Sequence, residues 1–149
     1  MINFCFNSSE IVIYQPPRLQ VKLEAVENVY SGSASADKIK SFIQSEVHGI
    51  CGHRTSGNAK EFKKPLVVVY YNVDFVKDVK GSNYVRNRVI KVAQKLKGEG
   101  LKVNFAISSV EEFRQELGEY GIEHPLPETK YILGRGPNDQ KYRFIGDYS

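Results

Sequence analysis

Thiols and imidazoles are the side chains of this 149-residue chain best suited to redox or metal chemistry, and it has two cysteines and three histidines. Cys5 and Cys51 lie too far apart in sequence to form the C-x-x-C pair of a dithiol oxidoreductase. The motif HGICGH brings His48, Cys51 and His53 together, but a closed zinc site needs four ligands and no second pair lies nearby. The sequence therefore predicts no catalytic residue, no metal and no cofactor, with a single redox thiol at Cys51 as an alternative.

Basic side chains form the second candidate site. Arg88, Lys91 and Lys95 are spaced i, i+3 and i+7, so in a helix they share a face that points to water or to a partner. A nucleic acid would need exposed tyrosines such as Tyr84 for base stacking. The net charge of +4 permits an acidic partner but is low for a dedicated nucleic-acid binder, so no nucleic acid is expected.

Two other motifs contain residue types that could take part in catalysis or binding, but both are interpreted as structural. Glu111, Glu112 and Glu116 are expected to be solvated carboxylates that favour the dipole of one helix. GRGPN lacks the pattern of a phosphate-binding loop, and Pro137 removes an amide donor, so this segment is predicted to be a turn. No apolar run approaches the roughly 20 residues that span a bilayer, so no membrane association is expected.

The elements around the basic face are predicted from periodicity. LVVVYYNV, Leu66 to Val73, is a continuous β-branched and aromatic run that predicts a strand covered on both faces, at the centre of a sheet. Ser82 or Asn83 is expected to cap the helix that follows. Five residues at helical spacing are expected to form its core-facing stripe: Val85, Val89, Val92, Ala93 and Leu96.

The flanking segments are predicted in the same way. IVIYQ indicates a strand, and KIKSFIQSEVHG a helix with Asp37 as its N-cap and Gly49 at its end. CGHRTSGNAKEFKKP is interpreted as a connection with a possible helical turn and as the candidate domain boundary. LKVNFAIS indicates a strand, SVEEFRQELGEYG a helix with Phe113 and Leu117 inward, and KYILGR with QKYRFIG a hairpin.

This order of elements, β-α-β-α-β-β from the central strand onward, predicts an α/β fold. Right-handed crossovers arrange it as a thioredoxin-like mixed sheet flanked by helices. The final helix usual in that fold is expected to be absent, because the sequence stops at FIGDYS soon after the hairpin.

Long stretches of the sequence resemble one family. YYNVDFVKDVKGSNYVRNRVIKVAQKL and KVNFAISSVEEFRQELGEYG are similar to the b′ domain of the protein disulfide isomerases that work with the lectin chaperones calnexin and calreticulin. DKIKSFIQSEVHGICGH resembles the last helix of the preceding b domain running into b′. The resemblance departs from the family at Val85, where the family has Trp, and at Thr129–Lys130, where it has the Ile-Pro of the thioredoxin cis-proline.

The resemblance implies that residues 1–49 are the C-terminal part of a thioredoxin-like b domain and that residues 50–149 are a b′ domain without its final helix. It implies a non-catalytic scaffold that recruits the acidic proline-rich arm of calnexin- and calreticulin-type lectins, and through them glycoprotein substrates, in the endoplasmic reticulum lumen. The family's partner-binding positions correspond here to Lys22, Lys80 and Arg88. Both b-type domains of the family lack C-x-x-C, so this chain is not expected to be an enzyme. The alternative is a part of a thiol-disulfide isomerase whose C-x-x-C domains lie outside this chain.

Overall fold

The computed structural model of this chain describes the backbone of residues 2–5 and all atoms of residues 10–145. The chain divides into two compact units, residues Met1–Ile50 and Cys51–Ser149. The identification of these units with the end of one b domain and most of a b′ domain stays a prediction. Among the described residues, no helix is both long and apolar enough to cross a membrane.

The first unit is an antiparallel sheet followed by a helix. Its elements are β1 (Ile2–Cys5), β2 (Glu10–Tyr14), β3 (Glu27–Val29) and α1 (Ala36–Glu46), with β2 between β1 and β3. The helix begins before its predicted N-cap: Ser35 occupies the cap position and Asp37 lies in the first turn, so the prediction for Asp37 was wrong. Gly49 follows the helix with a φ of 63°, a conformation that favours glycine, and its predicted role at the helix end is confirmed.

The second unit contains a five-stranded mixed sheet. Its strands are β4 (Cys51–His53), β5 (Leu66–Tyr71), β6 (Asn104–Ser109), β7 (Tyr131–Arg135) and β8 (Lys141–Arg143). The spatial order is β4-β6-β5-β7-β8. β4, β6 and β5 are parallel to one another, β7 pairs antiparallel with β5, and β8 pairs antiparallel with β7. The predicted α/β fold with a thioredoxin-like mixed sheet is confirmed, and β5 is central as expected. The strand β4 was missed, because its segment was interpreted as a connection.

Helices cover the two faces of this sheet. Alternation along β5 places Leu66, Val68 and Tyr70 on one face and Val69 and Tyr71 on the other. The first face packs with Phe113 and Leu117 of the region around α3 (Arg114–Gly118), which are both buried as predicted. The second face lies under α2 (Val79–Gly98), as the hydrogen bond of 2.6 Å from the Tyr71 hydroxyl to the Ser82 carbonyl shows.

The core-facing side of α2 differs in part from the predicted stripe. Val85, Val89 and Ala93 are buried as expected, but Val92 is 52% exposed and was wrongly assigned to the core. Ile90 and Arg86, which were not in the predicted stripe, are fully buried. The buried arc of the helix is therefore rotated toward Arg86 and Ile90, away from Val92.

The closing hairpin is confirmed. β7 pairs with β8 in the register Leu133↔Arg143, and the turn between them is closed by the Gly136 amide, which donates to the Gln140 carbonyl at 2.9 Å. Asp139 adopts a φ of 66°, a left-handed conformation that aspartate tolerates better than most residues. Gly136, Pro137 and Asn138 of GRGPN thus lie in a turn as predicted, whereas Gly134 and Arg135 belong to β7.

Candidate partner-binding surface

The start of α2 sets the position of its basic side chains. Asp78, and not Ser82 or Asn83, is the N-cap: its carboxylate accepts a hydrogen bond of 2.8 Å from the Gly81 amide. A Cβ at Gly81 would collide with that carboxylate, so the glycine makes room for the cap. Ser82 is buried in the helix, where its hydroxyl accepts a 2.8 Å hydrogen bond from the Asp74 amide. Lys80 consequently lies inside the first helical turn instead of before the helix.

We expect Asp78→Ala to lower the free energy of unfolding by about 1 kcal/mol, because the substitution removes the side-chain acceptor at the N-cap. Asp78→Asn keeps a capping oxygen and should remain close to wild type. Urea titrations of the three proteins test the assignment. Equal losses in both variants would show that the charge of Asp78, and not its capping bond, stabilises the helix.

The exposed face of α2 is a continuous basic strip. Because an α-helix advances about 100° per residue, Lys80, Tyr84, Arg88, Lys91 and Lys95 fall within an arc of about 80° and along about 22 Å of helix axis. All five are exposed. We call this set the α2 basic face. The helix contains no Asp or Glu. No described residue forms an ion pair with the four cations of this set, its three lysines and Arg88. The face therefore presents uncompensated positive charge to solvent.

Arg88 is held in place by Tyr84, one helical turn before it. The guanidinium carbon lies 4.7 Å from the centre of the Tyr84 ring, and Nη2 donates a 2.6 Å hydrogen bond to the Tyr84 hydroxyl. Tyr84 is itself 60% exposed. This stacking orients the planar fork of Arg88 before any partner binds, which lowers the entropy lost on binding a carboxylate.

The structure brings two of the three predicted binding residues onto one surface. Lys80 and Arg88 both lie on the α2 basic face. Lys22 is exposed in a turn of the first unit, whereas α2 belongs to the second, so its part in binding stays a prediction. Arg86 shows why charge alone is a poor guide to such a surface: it is fully buried, and its Nε donates a 2.8 Å hydrogen bond to the Cys51 carbonyl.

Of the three carboxylates expected to be solvated, Glu111 and Glu112 are exposed as predicted, and both also accept hydrogen bonds. Glu111 accepts a hydrogen bond of 2.8 Å from Arg114, and this bond lowers the pKa of Glu111. Partial desolvation acts against ionisation of Glu112, but two hydrogen bonds of 2.7 Å from the Ser56 amide and hydroxyl nevertheless lower its pKa.

Glu116 departs furthest from the expectation. Its Oε2 accepts from Arg54 at 2.9 Å and its Oε1 from the Tyr70 hydroxyl at 2.8 Å. Its side chain is only 16% exposed. Burial, reinforced by the neighbouring negative charge of Glu116, raises the pKa of Tyr70, which keeps that hydroxyl protonated as a donor. Sequence reasoning missed this network because Arg54 and Glu116 are remote in sequence.

The predicted alternatives based on Cys51 gain no support from its position. The residue is fully buried, whereas reactive thiols are partly exposed and lie in electropositive surroundings. Among the residues that the structure describes, no three His, Cys, Asp or Glu side chains are grouped in a way that would hold a metal ion.

The fold and sequence together define a thioredoxin-like protein without a C-x-x-C pair. Residues 5–143 match the family described as Thioredoxin-like domain, and the chain belongs to this family. It is 38% identical to protein disulfide-isomerase A3 of Gallus gallus over 141 residues, which are 93% of this chain and 28% of that protein. It is 36% identical to a probable protein disulfide-isomerase A4 of Caenorhabditis elegans over 125 residues, which are 78% of this chain and 20% of that protein.

A solved structure supports the same relationship. The crystal structure of the bb fragment of ERp72 superposes with a TM-score of 0.78 at 29% identity, covering 93% of this chain and 60% of the other. The homologues are therefore protein disulfide-isomerases A3 and A4, and the predicted resemblance is confirmed. The chain spans less than a third of the length of the A3 and A4 proteins described above, and it corresponds to a b-type region.

Proposed function

We propose that this chain is a non-catalytic scaffold of a protein disulfide isomerase and that its α2 basic face binds the acidic, proline-rich arm of calnexin- or calreticulin-type lectin chaperones. The observation that carries the proposal is a strip of four cations without a compensating carboxylate on their helix. The related isomerase A3 and the match to a b-type fragment support the scaffold role.

The chemistry of the face suits an acidic peptide. Arg88 offers a planar pair of N–H donors that matches a carboxylate, and stacking on Tyr84 fixes the orientation of its guanidinium. Lys80 and the two lysines farther along the helix act as hydrated point charges, which attract the arm from a distance and add little rigid geometry. The exposed ring of Tyr84 provides an apolar contact for prolines between the acidic residues.

In the whole protein, this scaffold would deliver lectin-bound glycoproteins to C-x-x-C domains outside this chain, in the endoplasmic reticulum lumen. The greater length of the related isomerases supports that arrangement. The chain itself contains no C-x-x-C. We therefore expect no insulin reductase activity from this chain, and activity that vanished in Cys51→Ser would overturn the scaffold role.

Titration with a calreticulin arm peptide tests the binding. Wild-type chain should bind the peptide at low salt and lose affinity as salt rises, because exposed charges are screened over about 10 Å at 0.1 M. Arg88→Glu should weaken binding about tenfold or more, since it replaces an attraction with a repulsion.

The matched control is Arg143→Glu, which makes the same charge change elsewhere in the second unit. Arg143 is exposed on β8 and pairs with Leu133, so its side chain lies on the sheet face opposite α2. This variant should bind like wild type. Equal weakening in the two variants would show that binding depends only on net charge and would contradict a site on α2. Absence of binding by the folded wild-type chain would also contradict it.

A further inference from the structure

Three residues of the α2 basic face form a row in which each lies about one helical turn from the next. Lys80, Tyr84 and Arg88 are spaced i, i+4 and i+8, and a helix rises about 6 Å over four residues. The row therefore places a cation, an aromatic ring and a second cation at intervals of about 6 Å, with the two cations about 12 Å apart along the axis. All three residues are exposed.

The two ends of this row are both suited to a carboxylate. At one end, Tyr84 orients the guanidinium of Arg88 through stacking and a hydrogen bond. At the other end, Lys80 lies in the first turn of α2, where the positive end of the helix dipole disfavours a cation and favours an anion. A carboxylate beside Lys80 is therefore attracted both by the ammonium group and by the start of the helix.

An extended peptide has a repeat that matches the row. A strand rises about 3.3 Å per residue and alternate side chains share one face, so side chains on that face recur about every 6.6 Å. Three alternate residues of such a peptide can therefore face Lys80, Tyr84 and Arg88 in turn. A polyproline II segment does not match, because its side chains return to the same side only after three residues, or about 9 Å.

We infer that the lectin-arm segment that binds the row carries the pattern acid-x-apolar-x-acid and lies along α2 in an extended conformation. This inference rests on the proposed function and adds the spacing of the acids in the ligand. The two acids pair with Lys80 and Arg88, and the apolar residue between them, proline included, lies against Tyr84. Lys91 and Lys95 lie beyond the row and contribute mainly long-range attraction.

Two peptides of identical composition test the spacing: acetyl-Gly-Glu-Ser-Pro-Ser-Glu-Gly-amide and acetyl-Gly-Ser-Glu-Pro-Glu-Ser-Gly-amide. Proline is central in both, but the acids lie four positions apart in the first peptide and two apart in the second. Only the first can meet both cations of the row while its proline contacts Tyr84. Dissociation constants come from nitrogen-15 NMR titrations at low salt, and the first peptide should bind about threefold more tightly.

Lys80→Gln and Lys95→Gln are the matched variants. Each removes one positive charge from an exposed position of the same helix, but only Lys80 belongs to the row. Lys80→Gln should weaken binding of the first peptide about threefold and of the second less than about 1.5-fold. Lys95→Gln should change binding of the first peptide less than about 1.5-fold. Circular dichroism checks that both variants stay folded.

Failure of the spacing and failure of the proposed function give different results. Equal affinities of the two peptides, or equal effects of the two variants on the first peptide, would overturn the acid-x-apolar-x-acid pattern. The pattern would also be overturned if the calreticulin arm peptide bound and the first peptide did not. In each of these cases the proposed function stands as long as the arm peptide binds and depends on Arg88. Absence of binding by the arm peptide as well would overturn both.

Discussion

Ile90→Ala is expected to lower the free energy of unfolding by about 3 kcal/mol, as is usual for a fully buried isoleucine truncated to alanine. Ile90 is entirely inaccessible and lies on the side of α2 that faces the sheet. The substitution leaves a cavity that its rigid neighbours fill only partly. Urea unfolding followed by circular dichroism measures the free energy, and an unchanged slope would show that the variant exposes the same surface on unfolding as the wild type.

Val92→Ala is the matched control on the same helix. Val92 is 52% exposed, so its truncation removes little buried surface, and alanine has the higher helix propensity. The free energy of unfolding should change by less than about 0.5 kcal/mol. A larger loss in Val92→Ala than in Ile90→Ala would restore the core stripe predicted from the sequence and contradict the observed orientation of α2.

Glu116→Ala is expected to be equally damaging, by about 3 kcal/mol, because it removes one partner of a largely buried ion pair. The Arg54 guanidinium, whose side chain is 10% exposed, would lose its carboxylate, and the Tyr70 hydroxyl would lose its acceptor. The cost arises from leaving these groups desolvated and unpaired. It does not measure the net contribution of the intact pair.

Glu111→Ala provides the comparison within the same region. Glu111 also accepts hydrogen bonds from an arginine, Arg114, but both side chains are about half exposed. Water replaces the lost contact, so the variant should unfold at nearly the wild-type urea concentration. If both variants unfolded at the same urea concentration, Glu116 would contribute no more than a surface carboxylate does, and its network with Arg54 and Tyr70 would not stabilise the fold.

Local sequence signals were sufficient for most of the second unit. The uninterrupted β-branched run of β5 predicted a strand buried on both faces, and the turn formers GPND between two short runs predicted the hairpin. The segment Cys51–His53 carries no such signal: it is three residues long and includes a glycine, and it becomes a strand only through parallel pairing with Phe105–Ile107 of β6. Non-local pairing of this kind cannot be found from local periodicity.

The α2 basic face and the Arg54–Glu116 pair differ in the same way: local sequence predicted the first and could not predict the second. Helical spacing alone placed Arg88, Lys91 and Lys95 on one exposed face, since periodicity is a local property. Spacing did not reveal that the helix begins at Val79 and so includes Lys80, because the capping side chain was assigned wrongly. The pairing of Arg54 with Glu116 depends on how the end of β4 packs against α3, and no sequence pattern predicted it.

The two faces of the sheet therefore have different physical characters. On one, a long helix anchored by buried aliphatic residues exposes cations that have no carboxylate on their own helix. On the other, cations are largely paired around a partly apolar cavity. The first face therefore has the uncompensated charge that the lectin-arm proposal requires.

The most direct test of the lectin-arm proposal is to locate the bound arm by NMR. A nitrogen-15-labelled chain would be titrated with the calreticulin arm peptide at low salt, with backbone amide shifts followed throughout. If the lectin-arm proposal is right, the largest changes will follow the α2 basic face, at Lys80, Tyr84, Arg88 and Lys91, and they will disappear in Arg88→Glu while persisting in Arg143→Glu. Changes confined to the cavity wall around Arg54, or to residues 10–50, would contradict it.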